Sequence, residues 1–357
     1  MKSGWFFGVG ALVLGAGLLA TSCKVEVADS ATPPTKPEIP DAKKGKQGPP
    51  AFQVGGFKVD VPEQTLQPGE ETYPCFIAPL DRTGASRVVG GGSLTVTAGM
   101  HHGNIVARPK TGEGFRPCPP DEGAIAGEAI DVLNGGSVLF GSSTQVVGTE
   151  WRTFPDGMGF PIGDDFEIVL RLHYLNATPE VVKLAPKYEW FTIDESKVTH
   201  LLGPFIWQFS GFHIPPHANL TVTGECAILA PENIVSLMPH MHKLATGFQA
   251  TFRGGVLDGD SFLDSPGFNP DGVIASYEPA IDLAQGATTV EPGMGFDFSC
   301  SWENTFDKEI VEGVGDNEMC MAFGYAWPYE SAYSAVAQDG SCIVLAPPYP
   351  KGWEPAK

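Results

Sequence analysis

Phe166-Glu167-Ile168-Val169-Leu170-Arg171-Leu172-His173-Tyr174 is the most strand-like stretch of this chain. Successive side chains of a strand point to opposite faces. Ile168, Leu170 and Leu172 therefore share one face, and Val169, Arg171 and His173 share the other. Ser93–Thr97 (SLTVT), Leu220–Ala227 (LTVTGECA), Gly247–Phe252 (GFQATF) and Gly295–Ser299 (GFDFS) have the same β-branched or aromatic, alternating character. No run of a dozen residues has helical periodicity, and Ser331–Ala337 is at most one or two turns. Gly (44) and Pro (32) punctuate the 357 residues without a repeat, which argues for many short strands. Strands at roughly ten-residue spacing predict sandwiches or jelly rolls. The body is too long for one of them, so two all-β domains are expected, 52–198 and 199–350, with the cut near Ser196–Pro204 and a short tail at 351–357.

Outside this body lies an export signal. Lys2 precedes an apolar run from Trp5 to Ala20, shorter than a membrane-spanning helix needs. The run ends in Leu19-Ala20-Thr21-Ser22-Cys23, small residues before a Cys, as in a bacterial lipoprotein signal. Residues 1–22 read as the signal peptide and Cys23 as the lipidated first residue. An ordinary secretory peptide with Cys23 left as a thiol is the alternative. Residues 24–50 hold six Pro and five Lys with few large apolar side chains, so 23–51 is expected to be an extended tether. The expected location is the bacterial cell envelope, periplasmic or at the cell surface. Asp and Glu number 42 against 22 Lys and Arg, a net charge of −20, which argues against nucleic acid as a partner. With Cys23 set aside, Cys75, Cys118, Cys226, Cys300, Cys320 and Cys342 can pair in fifteen ways. None lies in a CxxC pair, so structural disulfides in an oxidising compartment are the economical reading.

The histidines fall in ligand-like groups. His240 and His242 flank Met241, so on an extended chain both imidazoles reach one side. His101 and His102 are adjacent, and a shared ion requires a bulge or strand end, which Gly99 and Gly103 make accessible. His173 ends the strand quoted above. Met319 and Met321 share a face around Cys320, and a thioether suits a soft ion such as Cu(I). His200, His213 and His217 read as structural or solvent-exposed.

In order, the chain shows HH at 101–102, LRLHYLN ending at Asn176, PHMHKL from Pro239, and NEMC ending at Cys320. This succession resembles the copper type II, ascorbate-dependent monooxygenases, the family of peptidylglycine alpha-hydroxylating monooxygenase and dopamine beta-monooxygenase, over about residues 55–345. The resemblance implies two consecutive antiparallel jelly-roll sandwiches facing each other across a solvent-filled cleft. It implies an electron-supplying copper on His101, His102 and His173, and an oxygen-activating copper on His240, His242 and Met319. It also implies the pairs Cys75–Cys118, Cys226–Cys342 and Cys300–Cys320. The activity implied is hydroxylation of a C–H bond with O2, incorporating one oxygen atom, with ascorbate or an equivalent electron donor. Peptide-hydroxylating members hold a substrate carboxylate with polar residues where this chain has Met238, Met321 and Phe323. An apolar trio does not pair a buried carboxylate. The expected substrate is therefore a small apolar or aromatic molecule rather than a glycine-extended peptide. A copper-binding or copper-handling surface lipoprotein without turnover is the alternative function. A structural or carbohydrate-binding double jelly roll is a third.

Overall fold

A computed structural model of the chain describes residues 21–22, 48–81, 86–119, 131, 135–142, 146–228, 230–265, 267, 288–313, 317–329, 334–338 and 341–345. Cys23, most of the expected signal and tether, and the tail lie outside these residues. The described residues are 60% strand and 3% helical. Sheet packing, not helix packing, must therefore supply the core. Among the described residues, no helix is long and apolar enough to cross a membrane.

The N-terminal half contains β1 (Gln53–Asp60), β2 (Glu71–Thr72), β3 (Cys75–Pro79), β4 (Val88–Pro109), β5 (Ser137–Gly141), β6 (Val146–Thr153), β7 (Phe166–Leu175) and β8 (Lys187–Ile193). The long β4 organises them, pairing antiparallel with β5, β6, β7 and β8. β7 lies between β4 and β3, and its end also pairs with β2. Ile168, Leu170 and Leu172 enter a core with Leu94, Met100, Phe160 and Trp190. Its opposite face is covered as well, by ion pairs. Glu167 accepts from Arg108 Nε at 3.0 Å and Arg116 Nη2 at 2.6 Å, and Asp131 accepts from Arg108 Nη1 at 3.1 Å and Arg171 Nη2 at 2.7 Å. Buried charges persist where they are paired and hydrogen-bonded in this way.

The C-terminal half contains β9 (Gly203–Phe209), β10 (Asn219–Ala227), β11 (Glu232–His240), β12 (Ala245–Arg253), β13 (Ser261–Ser265), β14 (Gly295–Glu303), β15 (Met321–Trp327) and β16 (Ser334–Gln338). One sheet runs β10, β14, β12, β13, and another contains β16, β9, β15 and β11 in that order. Phe205, Leu237 and Ala322 from the second pack against Val222, Phe248 and Phe296 from the first. Fully burying such side chains stabilises by about 1.5–3 kcal/mol each for the larger ones. The architecture is thus all-β sandwich, as the sequence predicts. Two details differ. Ser334–Gln338 is strand rather than a helical turn, and its pairing with β9 is parallel. Val336 is β-branched and favours a strand, and β9 offers the segment an edge to pair with.

Disulfides join Cys75 to Cys118 and Cys300 to Cys320, and they suit an exported protein. Cys226 is disulfide-bonded too, while the side chain of Cys342 lies outside the described residues. Aromatic contacts join the two halves. Tyr325 meets Phe154 edge-on at 4.7 Å and stacks on Phe160 at 5.8 Å, Trp327 stacks at 3.8 Å on His200, whose backbone pairs with Met158 on the N-terminal sheet, and Val235 belongs to the core of the N-terminal half.

Candidate metal centre

The vicinal histidines meet their requirement through a bulge. Along β4 and β7, His173 pairs with His102 but Tyr174 pairs with Met100, so His101 is the extra residue. A bulge turns a side chain that a regular strand would send to the opposite face. Gly99, at φ +81°, takes a conformation that side chains rarely adopt, and Gly103 leaves room for Tyr188, Met100 and Leu172 beside it. As a result His101, His102 and His173 are all buried, and one ring nitrogen from each lies within 4.8 Å of the others. That arrangement is able to hold a metal ion.

His240 ends β11, and His242 lies two residues beyond it. Met241, between them, packs on the core of the C-terminal half, leaving the two imidazoles 5.2 Å apart centre to centre. Buried Glu318 accepts hydrogen bonds from the backbone N–H of His242 (2.8 Å), that of Leu244 (2.7 Å), and Trp302 Nε1 (3.0 Å). Burial pushes the Glu318 carboxyl up to about 7. His242 Nδ1 donates to the Asn317 carbonyl at 2.7 Å. A neutral ring with Nδ1–H keeps its lone pair on Nε2. That Nε2 is buried with no hydrogen-bond partner among the described residues.

The two sets form one cluster. The His102 ring is 4.9 Å from His240 and 6.2 Å from His242, as well as 5.3 Å from His101 and 4.9 Å from His173. The family resemblance implies a water-filled cleft between the sets. Here the imidazoles of both halves touch, because the aromatic contacts of Tyr325 and Trp327 draw the halves together. Desolvation, reinforced by the neighbouring rings, holds the pKa of His101 down to about 4 and that of His173 to about 2. The same causes hold His102 and His240 well below the usual range. His242 is lowered by burial, against opposing pulls from its hydrogen bond to the Asn317 carbonyl and from the negative charge of Glu71. All five rings are thus neutral near pH 7, the form in which imidazole binds a metal.

Met319 is buried next to Glu318, on the segment held against His242. Two residues on, Met321 pairs with His240, and Met238 pairs with Phe323 across β11 and β15. Met321 is half-buried, and the side chains of Met238 and Phe323 lie outside the described residues. His213 and His217 are exposed beside Glu309 and Asp307, at 3.4 and 2.8 Å. Sequence reasoning missed Glu71, Tyr73 and Glu318. Glu71 Oε1 lies 2.7 Å from His173 Nε2 and accepts from Tyr73 Oη at 2.8 Å, while the Tyr73 ring stacks on His173 at 4.3 Å. Their only signal is position: Glu71 and Tyr73 precede Cys75, and Glu318 precedes Met319.

No family model matches the chain, and no curated protein does. Among solved structures, the chain is similar at 9% identity and a TM-score of 0.16 to one titled as the atomic structure of Sulfolobus Turreted Icosahedral Virus, covering 75% of this chain and 59% of that one. A structure of the infectious bursal disease virus Gx strain gives 9% identity and a TM-score of 0.15, covering 87% of this chain and 77% of that one. Similarity this low carries no argument about fold or function.

Proposed function

We propose that this protein is a copper-dependent monooxygenase that hydroxylates a C–H bond of a small apolar or aromatic molecule, with O2 and ascorbate or another reductant. The observation that supports it is the gathering of five neutral, inward-facing imidazoles from three separate sequence motifs into one cluster. The donor set fits copper. Three imidazoles, His101, His102 and His173, suit an ion that changes between Cu(II) and Cu(I). Two imidazoles with the Met319 thioether favour Cu(I), whereas zinc gains little from a thioether. Bound copper supplies the one-electron transfer and O2 activation that hydroxylation of an unactivated C–H bond needs.

The chain's residues perform the rest. Asn317 and Glu318 fix the His242 ring and backbone, and the Cys300–Cys320 disulfide ties the Met319 segment to β14. Burial keeps the rings deprotonated and excludes bulk water from the donors. Met238, Met321 and Phe323 are proposed to line an apolar substrate site beside His240. Export and lipid anchoring at Cys23 through the 23–51 tether belong to the same reading.

Reconstituted protein should take up two coppers per chain and consume O2 in an ascorbate-dependent manner with some member of an apolar substrate panel. His242→Ala should abolish O2 consumption while about one copper remains bound. Failure to bind copper would overturn the reading. Direct contact between the two ring sets favours a second reading, copper storage or handling, because it closes the space between them. Tight copper binding without any reductant-dependent O2 uptake would establish that alternative.

A further inference from the structure

The surroundings of His173 carry an inference that rests on the copper reading and deepens it. We propose that Glu71 is a positioning residue of the metal centre: its carboxylate holds the His173 imidazole as the Nε2–H tautomer, which turns the Nδ1 lone pair toward the ion, and lends that ion negative charge through the ring.

Three contacts support this. Glu71 Oε1 lies 2.7 Å from His173 Nε2. An ionised carboxylate only accepts hydrogen bonds, so Nε2 carries the proton and donates it. A neutral imidazole with Nε2–H has a single remaining lone pair, on Nδ1. The Tyr73 hydroxyl donates to the same Oε1 at 2.8 Å, and the Tyr73 ring stacks on His173 at 4.3 Å with 24° between planes. One side chain therefore fixes the face of the imidazole and also steadies the carboxylate that fixes its edge. The backbone supports the arrangement, because Glu71 and Thr72 pair with Leu175 and Tyr174, immediately after His173 on β7.

The consequence is a difference between the two halves. His242 donates Nδ1–H to a neutral carbonyl of Asn317, whereas His173 donates Nε2–H to an anion. A carboxylate partner makes the ring a stronger electron donor than a carbonyl does, and loss of such a partner typically costs 10–100-fold in metal affinity. It stabilises the more highly charged oxidation state. The His101–His102–His173 site should accordingly prefer Cu(II) more than it would without Glu71.

Three measurements test this. In the metal-free full chain, long-range proton–nitrogen correlation spectra of ring-labelled histidine should show His173 as the Nε2–H tautomer, with that preference lost in Glu71→Ala. An Nδ1–H tautomer in the wild type would overturn the proposal without reference to copper. With Cu(II) as the probe in chelator competition, Glu71→Ala should weaken the first-half copper by 10–100-fold. Glu71→Gln keeps an acceptor but removes the charge. It should restore the tautomer and part of the affinity while raising the midpoint potential of that copper. Unchanged affinity and potential in both variants, in a wild type that binds copper, would overturn the role of Glu71 alone. A wild type that binds no copper would overturn the proposed function as well.

Discussion

Glu232 opens β11 with a carboxyl group that is 1% exposed and has no hydrogen-bond partner among the described residues. Burial pushes its pKa up to about 9. The folded state therefore keeps a proton that the unfolded chain releases above about 4.5. This contribution to stability is fully present below about pH 4.5 and is lost progressively as pH rises toward 9. Replacing Glu232 by Gln fixes the neutral form. Urea titrations of the two proteins should diverge in favour of Glu232→Gln by on the order of 2–4 kcal/mol between pH 5 and pH 8. A difference that stays constant across that range would refute a buried neutral acid. Glu318 contrasts with it, since N–H donors from Leu244, His242, Trp302 and Met319 offset part of its burial cost, and its carboxyl rises only to about 7.

The element that makes the centre is the β4 bulge. A regular strand would send the His101 side chain away from His102 and His173, and the skipped residue in the ladder corrects this. Gly103 is the adjoining point of close approach. A Cβ there would stand 2.5 Å from Tyr188 Oη and 2.6 Å from Met100 Cε, both belonging to fully buried residues. Gly103→Val should consequently cost about 1–3 kcal/mol through overpacking. It should also displace His102 and weaken metal binding, which denaturant melts and chelator competition would read together. Wild-type stability and affinity in this variant would show that the bulge adapts freely. The alternation of β7 was legible from residues 166–174, but the ion pairs of Glu167 and Arg171 were not. Their partners Arg108 and Asp131 are 59 and 40 residues away, respectively.

At the scale of the molecule, the ring cluster draws its imidazoles from both halves, and each proposed copper would stabilise the half whose donors hold it. Ligand that binds only the folded state stabilises by mass action, about 4 kcal/mol at a thousandfold excess over Kd. Copper should raise the melting temperature of the intact chain, and a chelator should reverse the gain. His240→Ala should lose part of that gain although its N-terminal donors are intact. An equal gain in wild type and variant would mean that His240 holds no copper.

The β class was readable because side-chain alternation and turn residues are local signals, written within ten or so consecutive positions. The identity of the candidate donors was readable for the same reason, since HH, HxH and a strand His are short patterns. Glu71 and Tyr73 were not, because their meaning lies in a register pairing with β7 about a hundred residues away. By itself the sequence determined sheets rather than helices and named which imidazoles were candidates. Only the tertiary structure decided that the His102 ring rests against His240 instead of facing it across water. How closely two packed halves approach depends on long-range burial of side chains such as Tyr325 and Trp327, which no local pattern encodes.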